Sequence, residues 1–196
     1  MMSDAVSVSY AVGRADLVSP LIDRVCTLYD EVFSAPPFFW RDDESQLHRD
    51  RLGRLLRDES FGAATASAGV ELVGFAYGFT VPATTTRWAG LREPVAPAVA
   101  MEWPGRTFLL FDFAVHPSWR GRGVGRHLHD LLLGSRAEER ATLTVQPTAE
   151  DTKRLYRRWG WRQVGQIDGD ATAAAPVFDV FLRDSLVDLR AGQPMP

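Results

Sequence analysis

The chain has 196 residues, 45% of them hydrophobic, which is enough for one well-buried core and short for two domains. We therefore expect a single domain over residues 1–196, with 184–196 as a flexible tail ending in Gly192-Gln193-Pro194-Met195-Pro196. A formal net charge of -3 argues against nucleic acid as a partner. Cys26, the only cysteine, excludes an intrachain disulfide and a zinc site built from several thiolates. No basic stretch leads into an apolar run near the N-terminus, and no apolar stretch is long enough to cross a bilayer, so a soluble, cytoplasmic protein with no membrane partner is expected. Lys153 is the sole lysine among many arginines and alanine is abundant, a usage that suits a GC-rich bacterial genome.

Val6, Val8 and Tyr10 alternate with polar neighbours and read as a first strand. Ser19-Pro20 starts a helix with apolar spacing over residues 21–33, which Pro36-Pro37 stops. Asp42 or Asp43 can cap a second helix through about Leu56. Residues 61–67 and 71–80 flank Ala68-Gly69 as a hairpin. Residues 81–105 hold four of the twelve prolines together with Trp88 and Trp103, have little periodicity, and read as a long loop. A strand over 107–115 follows, then a glycine-rich turn, a helix to about Glu138 and a strand over 141–145. A helix over 150–159 and strands over 161–167 and 177–182 complete the order βααβββαβαββ, a mixed α/β sheet.

The turn before the fourth strand's helix is Arg120-Gly121-Arg122-Gly123-Val124-Gly125. A helix start has N–H groups without intrahelical partners and a partial positive charge, and glycines let an anion reach them. Arg120, Arg122 and Arg126 add positive charge for a diphosphate. From the glycines alone, a tight turn that packs helix on sheet is an equal alternative. A dinucleotide fingerprint needs its glycines at a different spacing near the start of a βαβ unit, and no Gly-Lys-Ser or Gly-Lys-Thr follows for a nucleoside-triphosphate loop.

The run from Phe113 through Leu128 resembles the acetyl-CoA motif of the GNAT superfamily of N-acetyltransferases: glutamine or arginine, two residues of any kind, glycine, one of any kind, then glycine or alanine. Arg120, Gly123 and Gly125 fill those positions. Downstream, Leu155-Tyr156-Arg157-Arg158-Trp159-Gly160-Trp161 resembles the family's second element, Leu-Tyr-x-x-x-Gly-Phe. The resemblance covers about residues 107–165 and implies a mixed, mostly antiparallel sheet with helices on both faces. It implies acetyl-CoA as co-substrate, held by Val115, Arg120, Gly121, Arg122, Gly123, Val124, Gly125 and Arg126, with its pantetheine arm between the strand ending near Val115 and the strand over 143–145. The implied activity is transfer of the acetyl group to a primary amine by direct attack on the thioester, with backbone N–H groups near Val115 polarising the acetyl carbonyl.

Within that resemblance, Tyr156 matches the second motif's tyrosine and is the candidate acid for the departing thiolate, its phenol being protonated at neutral pH. Packing in the core with Leu155 and Trp159 is its alternative fate. Asp112, three before Val115, stands where many relatives have glutamate and is the candidate base, weighed equally against a structural hydrogen bond or ion pair. Glu102 is the second candidate base. Relatives often have asparagine where this chain has Ala149, which removes a side-chain hydrogen bond near the cofactor. Lys153 and Arg154 read as a solvated helix face, and no metal is expected, since His127 and His129 lie two apart on a helix and point to different faces. The aromatic segment 36–40 and Trp88 suit either an acceptor wall, a plug or a contact in a homodimer. A small-molecule amine is the leading acceptor, with a protein or peptide amine as alternative and a non-catalytic acyl-CoA sensor as the rival of a different class.

Overall fold

The computed structural model of the chain describes residues 7–190, so Val6 lies outside it. In chain order the elements are β1 (Val8–Gly13), α1 (Ala15–Val18), α2 (Ile22–Phe33), α3 (Glu44–Leu55), β2 (Gly62–Ala68), β3 (Glu71–Thr80), α4 (Pro97–Ala100), β4 (Thr107–Val115), α5 (Val124–Gly134), β5 (Arg140–Val145), α6 (Glu150–Arg158), β6 (Arg162–Asp168), β7 (Val177–Arg183) and α7 (Val187–Arg190). The strands form one seven-stranded sheet in the order β1-β2-β3-β4-β5-β7-β6. Every neighbouring pair is antiparallel except β4 and β5, which run parallel.

Side chains alternate across a strand, so each face collects its own core. Ala64, Ala66, Val73 and Ala76 pack with Val124, Leu128, Leu132 and Leu133 of α5 on one face. Ala63, Phe75 and Tyr77 pack with Val25, Leu28, Tyr29 and Val32 of α2 and Leu52 of α3 on the other. β4 breaks this alternation. Phe108 and Leu110 face α5, yet so do Phe113 and Val115, because the register slips between Tyr77↔Asp112 and Gly78↔Leu110 and leaves Phe111 as an extra residue. The bulge switches the parity of the strand and turns Phe111, Asp112 and Ala114 toward α2 and α3.

β4 and β5 pair only at Thr107↔Arg140, Phe108↔Ala141 and Leu109↔Thr142. Beyond these pairs the two strands part, which leaves the β5-facing backbone of 110–115 without ladder partners and opens a V between the strand ends.

Two expectations about length are corrected. α5 stops at Gly134, four residues short of Glu138, because Ser135 turns back on the helix, its Oγ donating to Leu132 O at 2.7 Å. The tail expected from 184 is packed as far as 190: Leu186 and Leu189 are buried in the α5 core and Arg190 Nε donates to Arg136 O at 2.8 Å. The long segment 81–105 is likewise tied down. Trp88 and Leu91 fold over Val180 and Leu182, and Leu91 makes an antiparallel bridge to Ile167.

Candidate active site

At the end of β4 the chain passes through His116 and a single tight turn at Pro117–Trp119 into the glycine run. His116 Nδ1 lies 2.6 Å from Ser118 Oγ, and Arg120 Nε donates to Val115 O at 3.1 Å, so Arg120 clasps the loop onto the strand it leaves. Gly121 and Gly123 have φ of +73° and +83°, the left-handed region in which side chains are strained. A Cβ at either would meet nothing within 4 Å: conformation requires the glycines, and the space before their backbone is open. His127 N–H donates to Gly123 O at 3.0 Å, the first bond of α5, so the N–H groups of Val124, Gly125 and Arg126 face the loop. An eleven-residue helix with an open, glycine-lined start has the form an anion needs. Gly125 differs, since it is helical and a Cβ there would make ordinary contacts at 3.6–3.7 Å with Phe113, Val115 and Trp159. Val124 is buried beneath the turn. Arg122 lies over the Trp119 ring, its Cζ 5.1 Å from the centroid, and Arg126 pairs with Asp130 at 2.6 Å along the helix.

α6 begins at Ala149, a buried N-cap with no side-chain cap hydrogen bond, and Glu150 and Asp151 supply negative charge in its first turn. Tyr156 is buried on its inner face, edge-on to Trp159 and Trp161 with ring centroids 5.9 and 5.8 Å away. Burial first, and the Asp112 charge second, push its phenol pKa well up, so it holds its proton. Lys153 is corrected: it faces inward, its Nζ 2.9 Å from Asp179 and 2.6 Å from Glu150. Arg154 is exposed and pairs with Asp151.

Asp112 lies on the part of β4 that has separated from β5, in a group of residues that sequence reasoning did not assemble. Tyr77, its partner across β3–β4, donates its hydroxyl hydrogen to Asp112 Oδ2. His48 Nε2 is 2.9 Å from the same hydroxyl and 3.6 Å from Asp112 Oδ2. Burial and the charges of Arg51 and Arg49 depress His48 to about 3, so the imidazole is neutral and its tie is the hydrogen bond to Tyr77, not an ion pair. Since Tyr77 donates to Asp112, its oxygen accepts from His48, which assigns the proton to Nε2. Tyr29 stacks flat on His48 at 3.6 Å and donates to Glu44 Oε1 at 2.9 Å, while Arg51 pairs with Glu44. Burial raises the Asp112 carboxyl to about 6, against the lowering effects of the Tyr77 hydrogen bond and Arg51. A sequence signal for this group existed: Glu44, His48 and Leu52 share the buried stripe of α3, and two polar groups on such a stripe need partners.

Glu102 lies elsewhere. Its side chain is 2% exposed beside the first residue of β4, and Oε1 accepts from Arg140 Nη2 and Trp88 Nε1, both at 2.8 Å, and from Thr107 Oγ1 at 2.7 Å. Trp88 is thus a core residue and not an acceptor wall. The segment 36–40 divides: Phe38 packs into both cores, Trp40 packs near Tyr29, and Phe39 stays 53% exposed. Its backbone is held to the loop after β5, with Phe39 N–H donating to Gln146 Oε1 at 2.6 Å and Thr148 Oγ1 donating to Pro37 O at 2.7 Å. Arg41 donates to Ala171 O at 2.7 Å and Arg51 to Thr172 O at 2.9 Å, drawing the β6–β7 connection against α3. His127 is exposed against Tyr10, whereas His129 is buried between Asp130 and Trp161 Nε1, which donates to His129 Nε2 at 2.9 Å. Among the described residues no group of three or more His, Cys, Asp or Glu could hold a metal ion.

The model of the acetyltransferase (GNAT) family matches residues 24–161. No curated protein matches the chain by sequence. Among solved structures it is similar to Arabidopsis thaliana NAA60 in complex with a bisubstrate analogue, with a TM-score of 0.60 and 15% identity over 90% of this chain and 96% of that one. The ribosomal-protein-S18-alanine N-acetyltransferase of Escherichia coli gives 0.58 and 14% over 89% and 91%. The PaiA N-acetyltransferase of Thermoplasma acidophilum in complex with coenzyme A gives 0.56 and 10% over 91% and 99%. At such identities the likeness is one of fold. With the family match running from α2 to the residue before β6, and the parted β4 and β5 and the glycine turn inside it, the chain belongs to the GNAT acetyltransferase family.

Proposed function

We propose that the chain transfers the acetyl group of acetyl-CoA to a primary amine of a small molecule. The family uses acetyl-CoA, and the open start of α5 fits its diphosphate, with Gly121, Arg122, Gly123, Val124, Gly125 and Arg126 as the holding residues, Arg120 fixing the loop, and Val115 at the strand end. The co-substrate supplies an activated thioester whose carbonyl the amine attacks.

The observation that carries the reading is Asp112 on the separated part of β4, raised to about 6 and held by a neutral phenol. An amine must shed a proton as it attacks, and a base with a pKa near the working pH is ionised yet basic enough to take it. The new N–C bond forms as the C–S bond breaks; the amine proton goes to Asp112, and Tyr156 gives its proton to the departing thiolate. The connections after α2 and after β6 are tied down by hydrogen bonds from or to Gln146, Thr148, Arg41 and Arg51, and ordered loops suit a compact amine better than an extended chain.

Thiol release from acetyl-CoA, measured across small primary amines and peptides, tests this. Release with small amines is expected. Release with peptides alone would move the acceptor to proteins, and acetyl-CoA binding with no release from any acceptor would make the chain a sensor.

A further inference from the structure

We propose that Tyr77 and His48 are positioning residues: His48 Nε2–H donates to the Tyr77 oxygen and Tyr77 O–H donates to Asp112 Oδ2, a two-step chain that pins one carboxylate oxygen and leaves the other for the acceptor amine. The proposal rests on the reading of Asp112 as the base.

Both contacts of the carboxylate fall on Oδ2. Oδ1 accepts from no described side chain and is not among the buried atoms without partners, and the side chain keeps 15% of its surface open. The fixed oxygen is therefore Oδ2, and Oδ1 is the one left for an acceptor. The chain of donors is braced behind. Tyr29 lies parallel to the His48 ring, within 5°, Glu44 holds the Tyr29 hydroxyl, and Arg51 neutralises Glu44. A rigid stack of this kind is more than a carboxylate needs for solubility, and it ends on Oδ2.

The chemistry of the donors matters as much as their place. A guanidinium in contact would fix the carboxylate equally well but would hold its proton affinity down. Tyr77 and neutral His48 fix it without a formal charge. The charged and titratable groups around Asp112 are Tyr77 on β3, Tyr29 and Cys26 on α2, Glu44, His48 and Arg51 on α3, and Tyr156 on α6. Among them Glu44 and Arg51 act on Asp112 with opposite signs and pair with each other, so the phenol is the group whose removal changes the carboxylate most directly.

The test is the pH profile of kcat/KM for the acceptor amine, in the full chain, for wild type, Tyr77→Phe, His48→Leu, His48→Gln and Asp112→Asn. Tyr77→Phe removes a donor to the charged form, so the acidic limb should move up by about one pH unit, lowering kcat/KM about tenfold on the acid side and recovering on the alkaline plateau. KM for acetyl-CoA should not change. His48→Leu should shift the limb the same way by less, and His48→Gln, whose amide can donate to Tyr77, should recover most of that shift. A limb unmoved in Tyr77→Phe, or a loss equal at every pH, would overturn the positioning role. If that variant fails to fold, the His48 pair decides in the same terms. Should Asp112→Asn keep the wild-type limb, the base assignment itself falls; should it abolish the limb while Tyr77→Phe leaves it in place, only the positioning role falls.

Discussion

Two carboxylates lie on and just before β4, Glu102 ahead of its first residue and Asp112 beyond its bulge, and they are accommodated by opposite means. Glu102 meets a guanidinium, an indole N–H and a hydroxyl on one oxygen. Asp112, ten residues later in the chain, meets a phenol backed by a neutral imidazole. A buried charge with a full counter-charge is a fixed part of the scaffold; one held by neutral donors remains available for proton transfer, and burial lifts it to about 6. From sequence the two were rival candidates. Their partners differ in charge.

Exchanging each carboxylate for its amide gives the largest contrast. Asp112→Asn should lower kcat by roughly 10²–10⁴-fold, the usual worth of a general base, with the fold intact. Glu102→Gln should leave the rate per folded molecule unchanged but strand Arg140, at a cost of roughly 3–5 kcal/mol in urea unfolding, as for other broken buried pairs. A Glu102→Gln protein of normal stability and crippled turnover would reverse the two roles.

A second contrast is in stability against pH. Asp112 is raised from 3.8 to about 6, so its contribution to stability is full below pH 3.8 and is lost as pH climbs through 6, a loss of about 3 kcal/mol. His48 has the other sign: depressed from 6.5 to about 3, it stabilises above 6.5 and loses that contribution as pH falls toward 3. The two slopes offset in the whole protein, so the informative quantity is the difference between Asp112→Asn and wild type. Asp112→Asn should be the more stable protein at pH 8, with the gap closing below about pH 4. No gap at pH 8 would mean that the folded protein carries the Asp112 charge at no cost.

The order of helices and strands along the chain, the hairpin at 68–69 and the glycine turn could be read from local pattern, because turn residues and periodicity are fixed by neighbours a few positions away. The Tyr77–Asp112–His48 group could not. It depends on a bulge at Phe111 that changes which face Asp112 occupies, on the β3–β4 register, and on the docking of α3, all of them contacts between residues 29 or more apart. Period-two alternation through β4 would have set Asp112 on the same face as Leu110, beneath α5. Lys153 misled for a related reason, since its partner Asp179 is 26 residues away and a lysine near a helix start usually faces water. The segment from 184 to 190 looked like a tail because Leu186 and Leu189 are too short a pattern to announce a helix.

The smallest contrast lies within the glycine turn. Gly123 has φ of +83° and open space before it, whereas Gly125 is helical and its absent side chain points at Phe113, Val115 and Trp159. Gly123→Ala should therefore carry the left-handed penalty, about 1–2 kcal/mol, either as lost stability or as a turn that relaxes away from the anion. Its KM for acetyl-CoA should rise severalfold with kcat nearly unchanged. Gly125→Ala meets ordinary contacts at 3.6–3.7 Å on the side away from the loop opening, and alanine is the better helix former by up to about 1 kcal/mol. That variant should keep its KM and unfold at slightly higher urea, which accounts physically for a motif that accepts glycine or alanine at this position. If both variants keep KM and only Gly123→Ala loses stability, the turn packs a helix on a sheet and the diphosphate is held elsewhere.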